Sequence, residues 1–425
     1  MAVLLGCIAD DFTGGTDLAG MLVKSGMRTI QLIGVPTETA PQDVDAVVIA
    51  LKSRTNPAPE AIEESLRALE WLKNQGCKQF YFKYCSTFDS TPKGNIGPVT
   101  EALMKALDTN FTIACPAFPA NKRSIYKGHL FVSDDLLSES GMRHHPLTPM
   151  TDSNLVRVLQ AQVKVKVGLT DYSVVKGGFV EIQKRFSDLQ KDEYQISVID
   201  ALSDDDLYSI GAACTDLPLL TGGSGIALGL PENFRKKGLL KIAGDANNLG
   251  VIGGLKAVIA GSCSQATQEQ VRVMKENFPA YFVDPLRLID GKDVIQEALH
   301  WVSQNIAHGP VLVYATSTPE YVKTIQEKLG ADKAGEMIEN VLAEIAKGII
   351  KLGVRQLIVA GGETSGAVVK ALDISGLRIG PEIAPGVPWT KAIFKHPQNH
   401  SLALALKSGN FGSPQFFMEA WEYIK

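Results

Sequence analysis

The sequence predicts an α/β protein built as two α/β domains with mainly parallel sheets. Three observations carry this. Short apolar runs of strand length alternate with amphipathic stretches of helical spacing in both halves of the 425 residues. A single Gly/Asn-rich stretch, residues 244–254, separates the halves. The composition, 45% hydrophobic and 21% charged, supports full cores with no coiled coil or low-complexity tail. The expected domains are residues 1–243 and 255–425.

In the first half, Val3–Ala9 reads as a buried strand and Thr16–Lys24 as a helix behind a Gly-Gly turn. Ala46–Ala50, Gln79–Lys83 and Phe111–Cys115 read as further strands. Ile62, Leu66, Leu69 and Leu72 place a helix over Glu60–Gln75. In the second half, Lys256–Ala260, Val311–Tyr314 and Gln356–Ala360 read as strands, and Ser264–Asn277 and Ala331–Leu352 as helices. Strands alternating with helices call for parallel sheets with right-handed crossovers.

The net charge of −4 provides no basic field for nucleic acid or an anionic membrane. No apolar run reaches membrane-spanning length, and the start of the chain lacks the pattern of a signal peptide. Six scattered cysteines without a CxxC motif suit reduced thiols and a cytoplasmic location.

Candidate chemistry gathers where strands end. Asp10 and Asp11 close the first strand ahead of Gly14 and Gly15. Open α/β sheets bind ligands at that edge, and paired aspartates there can accept a hydroxyl proton, orient a sugar hydroxyl or hold magnesium. A plain helix cap would use the same residue type. Lys52-Ser53-Arg54 follows a second strand, and Lys83, Ser86, Thr87, Asp89 and Ser90 follow a third. Arg54 taken singly is an ordinary surface cation. Beside the other strand ends it becomes a bidentate grip for a carboxylate.

In the second half Gly361-Gly362-Glu363-Thr364 leads from a strand into the helical pattern of Ala367–Leu372. Glycines there admit backbone N–H groups to a phosphate. The segment is not a Walker A motif, since no Lys-Ser or Lys-Thr follows Gly366. Gly261-Ser262-Cys263-Ser264 repeats the design, and Ser408-Gly409-Asn410-Phe411-Gly412 adds a third turn. Close packing alone explains any one of these turns; three in one half point to a nucleotide. His144-His145 and the pair His396/His400, which could share a helix face, lack companion metal ligands. Ser224, in Gly-Gly-Ser-Gly, lacks the pattern of a nucleophile elbow.

These motifs resemble those of the four-carbon acid sugar kinases. IADDFTGGTDLA, KYCSTFDSTPKGNIGPV, the long segment HLFVSDDLLSESGMRHHPLTPMTDSNLVRVL, GGETSGAV and KSGNFGSPQFF carry the resemblance across nearly the whole chain. It implies an N-terminal sugar-acid domain, a C-terminal ATP domain and an active-site cleft between them that closes to exclude water. It implies ATP-dependent phosphorylation of the terminal C4 hydroxyl of a 3-oxo-tetronate, with magnesium as cofactor and no protein ligand assigned to it. On this resemblance substrate binding falls on Asp10, Arg54, Lys83, Tyr84, Cys85 and Ser86. ATP binding falls on Ser262, Gly361, Gly362, Glu363, Thr364 and Gly409. The catalytic base is Asp10 or Asp11, expected opposite the ATP turns. A threonate or erythronate kinase, and a non-catalytic sugar-acid sensor, are the alternatives. The partners are the sugar acid and ATP, with a homodimer as the assembly considered.

Overall fold

A computed structural model describes residues 3–41, 43–145, 147–241, 244–396 and 400–424. Three limits of the expected domains, residues 1, 243 and 425, lie outside the described residues. The chain forms two compact units, Met1–Ala246 and Asn247–Lys425.

The first unit contains strands β1 (Leu5–Ala9), β2 (Thr29–Ile33), β3 (Ala46–Ala50), β4 (Gln79–Lys83), β5 (Thr112–Cys115), β6 (Arg123–Tyr126), β7 (His129–Val132), β8 (Asp135–Leu136), β9 (Lys166–Thr170), β10 (Tyr194–Ile199) and β11 (Leu219–Gly222). Its main sheet runs β2-β3-β1-β4-β11-β5-β10-β9, and every pairing is parallel. β1, β3 and β4 are buried along their whole length, which is why they read as unbroken runs rather than alternating ones. β6, β7 and β8 form a small antiparallel sheet, and β7 and β8 open the long segment that resembles the sugar-acid kinases.

From β1 the chain departs toward β2, and from β4 it departs the other way toward β5. The neighbours β1 and β4 therefore flank a switch point, where an open α/β sheet leaves a crevice at its carboxyl edge. Asp10 and Asp11 leave β1, Lys52–Arg54 leave β3, and Lys83–Ser86 end β4, so the three segments meet there.

The second unit contains β12 (Leu255–Ala260), β13 (Ala280–Phe282), β14 (Val311–Tyr314), β15 (Val354–Ala360), β16 (Ile374–Ala384), β17 (Val387–Phe394) and β18 (Ala403–Lys407). The order is β13-β14-β12-β15-β18-β17-β16. β17 runs antiparallel to both neighbours, and the other pairings are parallel. β12 departs toward β13 and β15 toward β16, so β12 and β15 flank a second switch point. The three glycine-bearing turns follow β12, β15 and its neighbour β18.

Two helices begin a full turn or more earlier than the sequence reading has them. The first is Phe12–Lys24, because Asp11 caps it by accepting from Gly14 N at 3.1 Å. Gly14 and Gly15 are thus helical, not a turn ahead of the helix. The second is Gly362–Ala371, so the glycine turn supplies its first turn. Residues 244–254 contain no helix or strand, yet Leu249 and Ile252 are buried in the core around Trp389. The described residues around His396 and His400 are not helical, and His400 meets Phe394 edge-on.

Candidate active site

The β1 edge is a packed charge cluster. Arg54 Nε donates to Asp10 Oδ2 at 2.8 Å and its Nη2 to Asp10 Oδ1 at 2.9 Å. Nη2 also donates to Asp11 Oδ1 at 2.7 Å, and Nη1 lies 3.5 Å from Asp89 Oδ2. Lys83 Nζ stands 3.7 Å from Asp11 Oδ1. The backbone fixes the framework: Asp10 N donates to Lys83 O at 3.0 Å, and Asp10 O accepts from Ser53 N at 3.0 Å. Asn95 Nδ2 donates to the carbonyls of Ser53 and Asn56, both at 2.8 Å, and so pins the loop that carries Arg54. Asp89 and Asn95 both lie in the segment KYCSTFDSTPKGNIGPV; the sequence reading places Asp89 at this edge but misses the role of Asn95 in holding the Arg54 loop.

The two aspartates differ in basicity. Burial raises the Asp10 carboxyl above its ordinary range, against the opposing charge of Arg54. Burial pushes Asp11 up too, but Lys83, Arg54 and the Gly14 N–H together outweigh it and hold it at about 2. Lys83 is buried, which disfavours its charge, yet Asp11 and Asp10 raise its pKa and keep it an ammonium. Gly14 makes room for this arrangement. A Cβ there would fall 2.0 Å from Lys83 Nζ and 2.2 Å from Asp11 Oδ1.

The structure gives Tyr84, Cys85 and Ser86 unequal parts. The Tyr84 ring is fully buried, packed edge-on to Phe82 and Phe88, with its hydroxyl 3.0 Å from Thr221 Oγ1. Its side chain builds the core beneath the edge. Cys85 Sγ lies 3.0 Å from Thr87 Oγ1, and burial pushes the thiol up to about 11, so it is no nucleophile near neutrality. Ser86 is partly exposed. Ser224, set aside from sequence, is buried and donates to Asp17.

In the second unit the three turns meet. Ser262 N and Gly361 N donate to Ala360 O and Lys407 O, at 3.2 and 2.8 Å. A Cβ on Gly361, whose φ is +130°, would lie 2.8 Å from Thr364 Oγ1. A Cβ on Gly409 would lie 2.4 Å from Ser262 Oγ. Gly361 has the backbone conformation that glycine favours, and a side chain at either position would crowd these hydroxyls. Ser264 caps the helix Gln265–Lys275 by accepting from Thr267 N. The helix Gly362–Ala371 has no side-chain cap, so its first N–H groups are left for a ligand. Beside the turns lies a cavity of about 330 Å³ lined by Ser262, Gly362 and Thr364 and by the apolar Pro285, Ala315, Ile325 and Ile338. Polar N–H groups next to an apolar slot suit a phosphorylated nucleoside.

Sequence reading missed Lys407 here. It is fully buried, and burial lowers its pKa to about 7. The available signal was a lysine ending an otherwise apolar strand just before a Ser-Gly turn.

An acid-and-cation cluster lies at one sheet's switch point and glycine turns at the other's, an arrangement that suits a phosphotransferase of the kinase class. Comparison with known proteins agrees. Residues 5–230 match the family model "Sugar-binding N-terminal domain" and residues 257–417 match "Nucleotide-binding C-terminal domain". The 3-oxo-tetronate kinase of Pseudomonas fluorescens is 58% identical over 98% of this chain and 96% of its own. The 3-oxo-tetronate kinase of Cupriavidus necator is also 58% identical, with the same coverage. A crystal structure from Salmonella typhimurium superposes with a TM-score of 0.91 at 44% identity, covering 99% of both chains. The chain belongs to the four-carbon acid sugar kinase family. Among the described residues, no helix is long and apolar enough to cross a membrane.

Proposed function

We propose that this chain transfers the γ-phosphoryl group of ATP to the C4 hydroxyl of a 3-oxo-tetronate, with the first unit holding the sugar acid and the second the nucleotide. What carries the reading is identity of 57–58% over 98% of the chain to kinases named for that substrate. Six unpaired cysteines suit a reducing cytoplasm.

Phosphoryl transfer calls for alignment and charge stabilisation more than covalent help. Asp10 is the better base of the pair, since Asp11 is held at about 2. It accepts the C4 hydroxyl proton as the oxygen attacks phosphorus, a role worth about 10²–10⁴-fold in rate. Arg54 orients Asp10, and Arg54 Nη1 with Lys83 offers positive charge to the sugar carboxylate. The uncapped N–H groups from Gly362 onward and the Ser262 and Gly409 turns bind the phosphates. Magnesium on the nucleotide would offset phosphate charge, and needs only one or two protein carboxylates. Among the described residues there is no group of three or more His, Cys, Asp or Glu side chains that could hold a metal ion. Glu363, exposed beside Gly362, is the carboxylate within the turn.

The test is coupled ADP release over 3-oxo-tetronates, threonates and erythronates. The highest kcat/KM is expected with a 3-oxo-tetronate. A higher value with threonate or erythronate would reject the substrate, and no turnover with any would leave a sensor.

A further inference from the structure

Lys407 has no exposure, and among the described residues no charged or titratable group lies close enough to shift it. Its Nζ donates to Thr267 Oγ1 at 3.1 Å, Ser408 O at 3.0 Å and Gly409 O at 2.8 Å. Three acceptors match the three hydrogens of an ammonium. A neutral amine would turn its lone pair on one of those oxygens unless the Thr267 hydroxyl swung from Gly409 O to donate to it. The cage therefore favours the charged form, against the burial that lowers its pKa.

The cage also sets the direction of two peptides. A trans peptide points its C=O and the following N–H to opposite sides. With the Ser408 and Gly409 carbonyls drawn to the ammonium, the N–H groups of Gly409 and Asn410 face away from it. Neither has a protein acceptor among the described residues. Two successive N–H groups so turned stand on the side away from the ammonium, open to an anionic acceptor. Gly409 abuts the Ser262 turn, where a Cβ would fall 2.4 Å from Ser262 Oγ and 2.9 Å from Ser264 Oγ. The backbone of Lys407 completes the link, since its carbonyl accepts from Gly361 N at 2.8 Å. One residue is thus bonded to the Gly361 turn, to the 408–409 turn and, through Thr267, to the helix after the Ser262 turn.

We propose that Lys407 is a positioning residue for the nucleotide: it orients the Ser408 and Gly409 peptides so that the Gly409 and Asn410 N–H groups bind a phosphate oxygen, with its own positive charge behind them. The proposal rests on the nucleotide site assigned above and adds the residue that shapes its third turn.

The experiment is calorimetric titration of MgATP and of adenosine into the parent, Lys407→Met and Asn410→Pro. The first variant removes the ammonium; the second removes one of the two N–H groups directly, at an exposed position. Both are expected to weaken MgATP by about tenfold or more, the loss that goes with one charge-assisted hydrogen bond. Adenosine affinity should stay unchanged, which a general loosening of the unit would not allow. Parent-like MgATP affinity in either folded variant, or equal loss of MgATP and adenosine, overturns the proposal. If Lys407→Met does not fold, Asn410→Pro decides alone. A parent that binds no MgATP would instead reject the nucleotide site itself.

Discussion

Arg54→Lys separates two roles that the sequence merges. Arg54 holds Asp10 with two N–H···O bonds and Asp11 with a third, at 2.7–2.9 Å. A lysine has the charge but not the fork, and from that position keeps one such bond. Hydrogen bonds to charged groups contribute about 1.5–3 kcal/mol each, so two lost bonds come to about 3–6 kcal/mol before relaxation. Asp10 is only 5% exposed, so water does little to replace them. The expected stability loss is about 2–4 kcal/mol in urea unfolding, near the cost of weakening a buried ion pair. The expected kinetic result is a fall in kcat of about 10²-fold, because the base loses its orientation, together with a raised KM for the sugar acid. KM for ATP should hold, since the bonds of Arg54 are to first-unit carboxylates. The assay is steady-state ADP release with each substrate varied in turn. An unchanged kcat with only a raised KM would show Arg54 to be a carboxylate clip and refute its role as a brace. Equal weakening of both substrates would remove it from the sugar-acid site.

Gly14→Ala tests the packing of Lys83 against Asp11. Alanine is the better helix former by about 1 kcal/mol, but its Cβ would occupy the position next to Lys83 Nζ; the thermal midpoint should change little while kcat/KM falls at least tenfold, and full activity would refute the need for that contact. Gly362→Val places its side chain where no atom lies within 4 Å of the added Cβ, so the unit should fold and lose MgATP affinity in titration; unchanged affinity would move the phosphate site elsewhere. Asp11 is lowered from 3.8 to about 2, so its share of stability is present above pH 3.8 and is lost as pH falls through about 2. Asp11→Asn should therefore flatten the acid side of the curve of unfolding free energy against pH, and an unchanged slope there would contradict the depressed value.

The α/β alternation was legible because buried parallel strands such as Ala46–Ala50 and Gln79–Lys83 are short apolar runs with abrupt polar ends. The β16–β17 hairpin was not. Its residues mix Gly, Pro, Arg, Glu and Lys with apolar ones, and its identity comes from pairing with β18 rather than from local pattern. Helix starts were missed by a turn wherever glycine sat in the first turn, as at Gly14 and Gly362. Local propensity makes glycine a breaker, whereas here it admits Lys83 or leaves backbone open to a ligand.

The same limit explains why Arg54 read as a carboxylate grip. A sequence displays cations near strand ends but not the carboxylates that the fold sets against them. At the β1 edge Asp10, Asp11 and Asp89 face Arg54 and Lys83, so acids outnumber cations. The fork of Arg54 is occupied before any substrate arrives. On the proposed reading an incoming sugar acid would meet Nη1, whose contact with Asp89 is the longest of Arg54 at 3.5 Å, and Lys83, which is 3.7 Å from Asp11. Those two loosely held donors, rather than the bidentate face, are what the cluster offers to an anion. The Asp10 carboxyl, raised by burial, is the acid best able to ease the crowding by taking a proton. On the proposed reading, charge balance favours the same residue as acceptor for the hydroxyl proton.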